Sequence, residues 1–171
     1  SQLGGPDGEL GAATRYLNQR YTMPSGEAIG TLTDIGSEEL GHCEMIAAVL
    51  YQLTRNLTPE EIVAGGFDKY FVDHTTGIYP QAASGVPFSA STLQSTGDAL
   101  ADLAEDLAAE QKARVTYDNI LRLSDDPDVN DVIRFLRQRE VVHFQRFGDT
   151  LRRTQEQLDQ KNYYYFNPEY R

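Results

Sequence analysis

The sequence predicts an all-α domain: a bundle of four long helices, arranged as two antiparallel hairpins joined by a long crossover. Three observations predict it. Four segments repeat apolar residues with helical period over lengths that only helices reach. The breaks inside each half of the chain are short, which makes the helices they join antiparallel neighbours, whereas the break between the halves is long. Each half also carries a Glu with a His three residues later inside an otherwise apolar helical stripe.

The first helix is expected over Gly5–Tyr21 and is expected to continue upstream of residue 1, with Pro24, Ser25 and Gly26 breaking the chain before the second. The second runs over Gly26–Thr54, with Ile29, Leu32, Ile35, Glu39, His42, Ile46, Val49 and Leu53 near one stripe. From Arg55 to Leu93 the pattern is turn-rich. Within it Thr58, Pro59 and Glu61 announce one short helix as N-cap, first turn and capping-box partner. The third helix, over Thr96–Leu123, aligns Leu100, Leu103, Leu107, Glu110, Tyr117 and Leu121. Asp126 followed by Pro127 starts the fourth, which reaches about Leu158 and aligns Val132, Leu136, Glu140, His143, Phe147 and Leu151. Two helical hairpins with one long crossover is the ferritin-like form of the four-helix bundle. Residues 1–160 make up this bundle, and residues 161–171 form an aromatic tail with no helical pattern.

Bulk properties narrow the function. The chain of 171 residues fits one domain that buries its own core without disulfides. With 26 acidic against 15 basic residues its formal charge is -11, which repels phosphate backbones and anionic headgroups, so neither nucleic acid nor a membrane is expected as a partner. Cys43 is the single cysteine and reads as a small core residue. With no signal peptide visible, synthesis in the cytoplasm is expected. His74 reads as a loop-bonding histidine, and Asp125, Asp126 and Asp128 as helix-capping residues rather than a cation loop.

The chemistry lies in the polar groups inside the stripes. Glu39 with His42 and Glu140 with His143 each place a carboxylate and an imidazole about one turn apart on one helix face. Glu9 precedes the first hairpin turn by about as many residues as Glu39 and His42 follow it, a rise of roughly 20 Å on each side. Glu110 and the Glu140–His143 pair are matched in the same way about the second turn. One carboxylate from each of two helices and an E-x-x-H pair from each of the others is the ligand set of dinuclear carboxylate bundles. Carboxylates buried without partners would cost several kcal/mol each, and divalent cations would stabilise them. The donor set suits two manganese ions or two iron ions, and affinity order alone does not choose between them.

The segments LGGPDGEL, TDIGSEELGHCEMI, AAEQKAR and FLRQREVVHFQRF together resemble the manganese catalase family, most closely its short spore-coat branch of the J-C type. The resemblance runs from Leu3 to about Leu151. It implies that Glu9, Glu39, His42, Glu110 and His143 are the metal ligands, with Glu39 bridging. It implies that Glu140 is an outer-shell proton carrier and that Tyr16 hydrogen-bonds the carboxylate of Glu9. Larger members carry an Arg directly before the third carboxylate ligand, and this chain has Ala109 there. The implied activity is disproportionation of hydrogen peroxide at a dimanganese centre. The implied setting is a homo-oligomer among other spore-coat proteins. Two other functions fit the same residues: a structural coat subunit whose metal site is vestigial or only stabilising, with the Tyr-rich tail as its contact, and a di-iron oxidase or store with Glu140 as a direct ligand.

Overall fold

A computed structural model describes residues 1–161. The described residues form six α-helices and two short 3-10 turns, with no strand beyond an isolated bridge between Gln81 and Pro87. The helices are α1 (Glu9–Gln19), α2 (Gly26–Thr54), α3 (Pro59–Ala64), α4 (Asp68–His74), α5 (Ala99–Leu123) and α6 (Pro127–Lys161). Helix α1 packs on α2, α5 packs on α6, and the two hairpins meet mainly where α2 crosses α6. The four-helix bundle with its long crossover is therefore present. None of these helices is long and apolar enough to cross a membrane.

The helix starts are set by side chains that satisfy otherwise unpaired N–H groups. Ser25 accepts from the amide of Ala28 at 3.2 Å to start α2. Asp98 accepts from Leu100 and Ala101 at 3.0 and 2.9 Å to start α5. Asp126 accepts from Asp128 and Val129 at 2.9 and 3.2 Å to start α6. Thr58 and Glu61 form the expected reciprocal capping box on α3. Helix α4 escapes the sequence reading because it is short and has no side-chain cap. His74, at its end, bonds Gln81 at 3.0 Å and stacks on Tyr79 at 4.4 Å between ring centroids, so it serves the crossover.

The first helix corrects the expectation. It begins at Glu9 rather than Gly5, and residues 1–8 form turns instead of a helix running straight upstream. The turns close on themselves through Gly5 N to Ser1 O at 2.7 Å and Glu9 N to Gln2 O at 2.8 Å. Packing explains why glycine is required here. A Cβ on Gly4 would lie 2.1 Å from the carbonyl carbon of Pro80, and one on Gly8 would lie 2.7 Å from the carbonyl oxygen of Gln2. The same tight approach holds the N-terminal turns against the crossover. The crossover's end is tied to α1 by Arg15, fully buried, whose Nε donates to the carbonyl of Leu93 at 2.9 Å. Asp102 holds it further by accepting from Thr96 N, Thr96 Oγ1 and Gly97 N at 2.7, 2.8 and 3.0 Å.

The core is layered. Toward one end Tyr16, Met23, Ala28, Leu32, Ile35, Leu103 and Phe147 cluster, and toward the other Leu3, Ile46, Ala113, Tyr117, Ile133 and Leu136. On each long helix the polar pair lies between these clusters: Glu39 and His42 between Ile35 and Ile46, Asp106 and Glu110 between Leu103 and Ala113, Glu140 and His143 between Leu136 and Phe147. At the ends of the stripe Ile29 and Leu53 are 40% and 47% exposed while the adjacent Ala28 and Thr54 are buried, so the buried face there is turned by one residue. The expected aromatic tail at residues 161–171 lies outside the described residues, apart from Lys161 at the end of α6.

Candidate metal centre

The polar layer brings Glu9, Glu39, His42, Glu110, Glu140 and His143 together, all buried. They fall into two overlapping quartets, Glu9–Glu39–His42–Glu140 and Glu39–Glu110–Glu140–His143, whose potential ligand atoms lie within 4.8 Å of one another. Nδ1 of His42 lies 2.7 Å from Glu39 Oε2 and 3.7 Å from Glu9 Oε2. Nδ1 of His143 lies 2.7 Å from Glu39 Oε1 and 3.5 Å from Glu110 Oε2. Glu39 is thus held between the two imidazoles, whose rings are stacked with centroids 5.6 Å apart. Counting residues from the hairpin turns places these groups level, and the structure places them in contact.

The electrostatics are those of a crowded anionic site closed by two imidazolium groups. Burial and the charge of Glu39 raise Glu9 well above the usual carboxylate range. Burial and the charges of Glu110, Glu9 and Glu39 do the same to Glu140, and burial raises Glu110. Burial also pushes Glu39 up, but the contacts of His143 and His42 outweigh it and hold it at about 2. Burial alone would lower the histidines. Glu39 and Glu9 instead hold His42 at about 9, and Glu110 and Glu39 hold His143 at about 10.

The unpaired atoms fit a pair of divalent cations better. Glu9 Oε1, Glu39 Oε1, Glu110 Oε2, Glu140 Oε1 and His143 Nδ1 are all buried without a hydrogen-bond partner. His143 Nδ1 and Glu39 Oε1 approach to 2.7 Å and still do not hydrogen-bond, as expected of two donors aimed at a common third atom. So many orphaned lone pairs in one buried layer would be strongly destabilising unless something electropositive met them. Carboxylate oxygens with one imidazole in each quartet are hard to borderline donors, matched to manganese or iron.

One neighbour differs from expectation. Tyr16, fully buried, donates its hydroxyl to Glu110 Oε1 rather than to Glu9. Glu9 lies in the first turn of α1, and Tyr16, seven residues on, projects across the bundle to α5 and packs at a tilt against Phe147 with ring centroids 4.8 Å apart. Glu140, expected outside the ligand set, belongs to both quartets. Ala109 is buried beside Glu110 and leaves no cation at that position, and the nearby guanidinium of Arg139 pairs with Glu38 instead.

Three acidic residues escape the sequence reading. Asp102 and Asp106 precede Glu110 by eight and four residues on the same face, a repeat that could have signalled them. Asp106 is buried with neither oxygen partnered, and burial raises it well above the usual range. Glu38 was hidden by its neighbour Glu39. It stands four residues before His42, the spacing of a helical pair.

Residues 1–162 match the family model described as manganese containing catalase. The chain is 52% identical to Protein CotJC of Bacillus subtilis (strain 168) over 160 residues, covering 94% of this chain and 84% of that one. It is 34% identical to a probable manganese catalase of Clostridium acetobutylicum, covering 95% and 72% of the two chains. The crystal structure of KatB, a manganese catalase from Anabaena, superposes with a TM-score of 0.80 at 32% identity, over 88% of this chain and 67% of that one. The chain is a member of the manganese-containing catalase family.

Proposed function

We propose that this protein disproportionates hydrogen peroxide to water and dioxygen at a dimanganese centre held by Glu9, Glu39, His42, Glu110 and His143. The observation that carries the reading is the pair of buried quartets sharing Glu39, with their unpartnered oxygens turned into one layer. Bound there, a manganese pair would supply the electrons that peroxide oxidation and reduction exchange in alternate half-cycles. The rest is done by the chain. Glu39 spans the two quartets, Glu9 with His42 serves one side, and Glu110 with His143 serves the other. Tyr16 restrains Glu110 through its hydroxyl. Glu140 is buried beside both quartets, burial and the neighbouring carboxylates raise it well above the usual range, and it is placed to pass a proton to or from a reacting oxygen. The apolar clusters on either side keep bulk water out of the layer.

The spore coat is the proposed setting, with other copies of the chain and other coat proteins as partners. Its support is the 52% identity to Protein CotJC. Exposed apolar side chains such as Leu123 and Val72, at 88% and 79%, offer contacts for such assembly.

The test is Glu39→Ala. The variant is expected to lose both metal ions by elemental analysis and to release no dioxygen from peroxide. Undiminished dioxygen release would overturn the assignment. Iron in place of manganese is the second reading, favoured by the position of Glu140 in both quartets. Metal analysis of protein produced with both metals supplied decides between them, iron occupancy with Glu140 bound favouring an oxidase.

A further inference from the structure

Consecutive residues of α2 face opposite sides of the same two imidazoles. Glu39 points into the core, where it meets Nδ1 of His42 and Nδ1 of His143. Glu38, about 100° further round the helix, lies on the flank toward α6, with its side chain 29% exposed. Its Oε1 is 3.5 Å from Nε2 of His42, and its Oε2 is 3.2 Å from Nε2 of His143. The stacked rings are therefore clamped between two carboxylates, one on the inner nitrogens and one on the outer. Neither Nε2 atom has a hydrogen-bond partner as the side chains stand, so Glu38 is the carboxylate that a small rotation would bring into line with both. Glu38 is itself held. Arg139 of α6 donates from Nε to Glu38 Oε1 at 2.5 Å and from Nη2 to Oε2 at 3.1 Å, a two-pronged pair that fixes the plane of the carboxylate.

We propose that Glu38, anchored by Arg139, is a positioning residue for both imidazoles: it receives their Nε2–H groups, fixes that tautomer and leaves both Nδ1 lone pairs facing the metal layer. The physical logic is general. A ligating imidazole is oriented by what its other nitrogen donates to, and a carboxylate acceptor also makes it a stronger donor to metal. Here one carboxylate serves both rings. It couples the two quartets from outside, as Glu39 does from inside. Arg139 offsets the negative charge that Glu38 adds next to an already anionic layer, so the anchor is as necessary as the acceptor. The proposal rests on the assignment of His42 and His143 as ligands.

The test compares wild type, Glu38→Ala, Glu38→Gln, Arg139→Gln and His143→Ala by manganese binding against a chelator. It adds long-range proton–nitrogen NMR of the histidine rings in protein loaded with diamagnetic zinc. Glu38→Ala is expected to weaken manganese binding about 10- to 100-fold. It is also expected to lose the paired Nε2–H signals, while the helical content of the metal-free protein stays at the wild-type level. Glu38→Gln, of the same size, can accept from only one ring and is expected to retain one Nε2–H signal with an intermediate loss of affinity. If the Ala variant does not fold, the Gln variant decides by the same two readouts. Arg139→Gln is expected to weaken binding with both signals broadened by exchange. Wild-type affinity and unchanged ring signals in the Glu38 variants, with binding lost in His143→Ala, would overturn the role of Glu38 alone. Wild-type affinity in His143→Ala would overturn the ligand assignment and this proposal with it.

Discussion

The hydroxyl of Tyr16 on α1 donates a hydrogen bond to Oε1 of Glu110 on α5, joining helices from different hairpins. Both groups are buried. Removing the hydroxyl by Tyr16→Phe leaves a buried carboxylate oxygen unpaired. The expected loss is about 1–3 kcal/mol of stability in the metal-free protein. Thermal denaturation of the two forms checks it, and an unchanged melting temperature would show that this bond contributes nothing.

The pH dependence of the metal-free protein follows from the layer. His42 and His143 rise from 6.5 to about 9 and 10, so their contribution to stability is full below about pH 6.5 and is lost as pH climbs through those values. Glu9 and Glu140 act in the same direction, because the unfolded chain releases their protons near 4.5 while the fold retains them. Melting temperature without metal is expected to fall between pH 6.5 and 10. Manganese-loaded protein, whose ligands have already given up these protons, is expected to vary much less. Parallel scans with and without metal make the comparison.

Glu140→Gln separates a proton carrier from a ligand. If Glu140 carries a proton, the amide variant is expected to keep two metal ions per chain and to lose dioxygen release at least tenfold. The contribution of a positioned proton carrier is typically about 10²- to 10⁴-fold. Loss of metal in the variant, measured by elemental analysis, would place Glu140 among the ligands instead.

Gly4→Ala tests the link between the N-terminal turns and the site. An added Cβ would lie 2.1 Å from the backbone of Pro80, which cannot move aside as a flexible side chain could. Glu9 follows five residues later and its amide is bonded to Gln2 O at 2.8 Å. The variant is expected to be about 1–3 kcal/mol less stable and to bind metal more weakly. Denaturant unfolding and a metal titration read the two effects.

Phe147→Ala removes a fully buried ring that packs at a tilt against Tyr16. The expected cost is about 3–5 kcal/mol, read by denaturant unfolding. Combined with Tyr16→Ala, which removes the other ring, the effects are expected to be less than additive because the two rings share one contact.

The amino-acid sequence by itself determined the four helices, the long crossover and the candidate ligands. Helical period and the caps Ser25, Thr58 and Asp126 are local properties. Equal residue counts from a hairpin turn convert directly into equal heights, because rise per residue is constant along a helix. That is why Glu9, Glu39, His42, Glu110, Glu140 and His143 could be brought together before any coordinates. The start of α1, the partner of Tyr16, the burial of Asp106 and the contacts of Glu38 were decided only by tertiary structure. Height along a helix says nothing about rotation or distance between helices. Whether a hydroxyl reaches one carboxylate or another, and whether Glu38 faces solvent or two imidazoles, depends on how α1 lies against α5 and α2 against α6. Those placements follow from the packing of whole faces around the polar layer, which no local run of residues encodes.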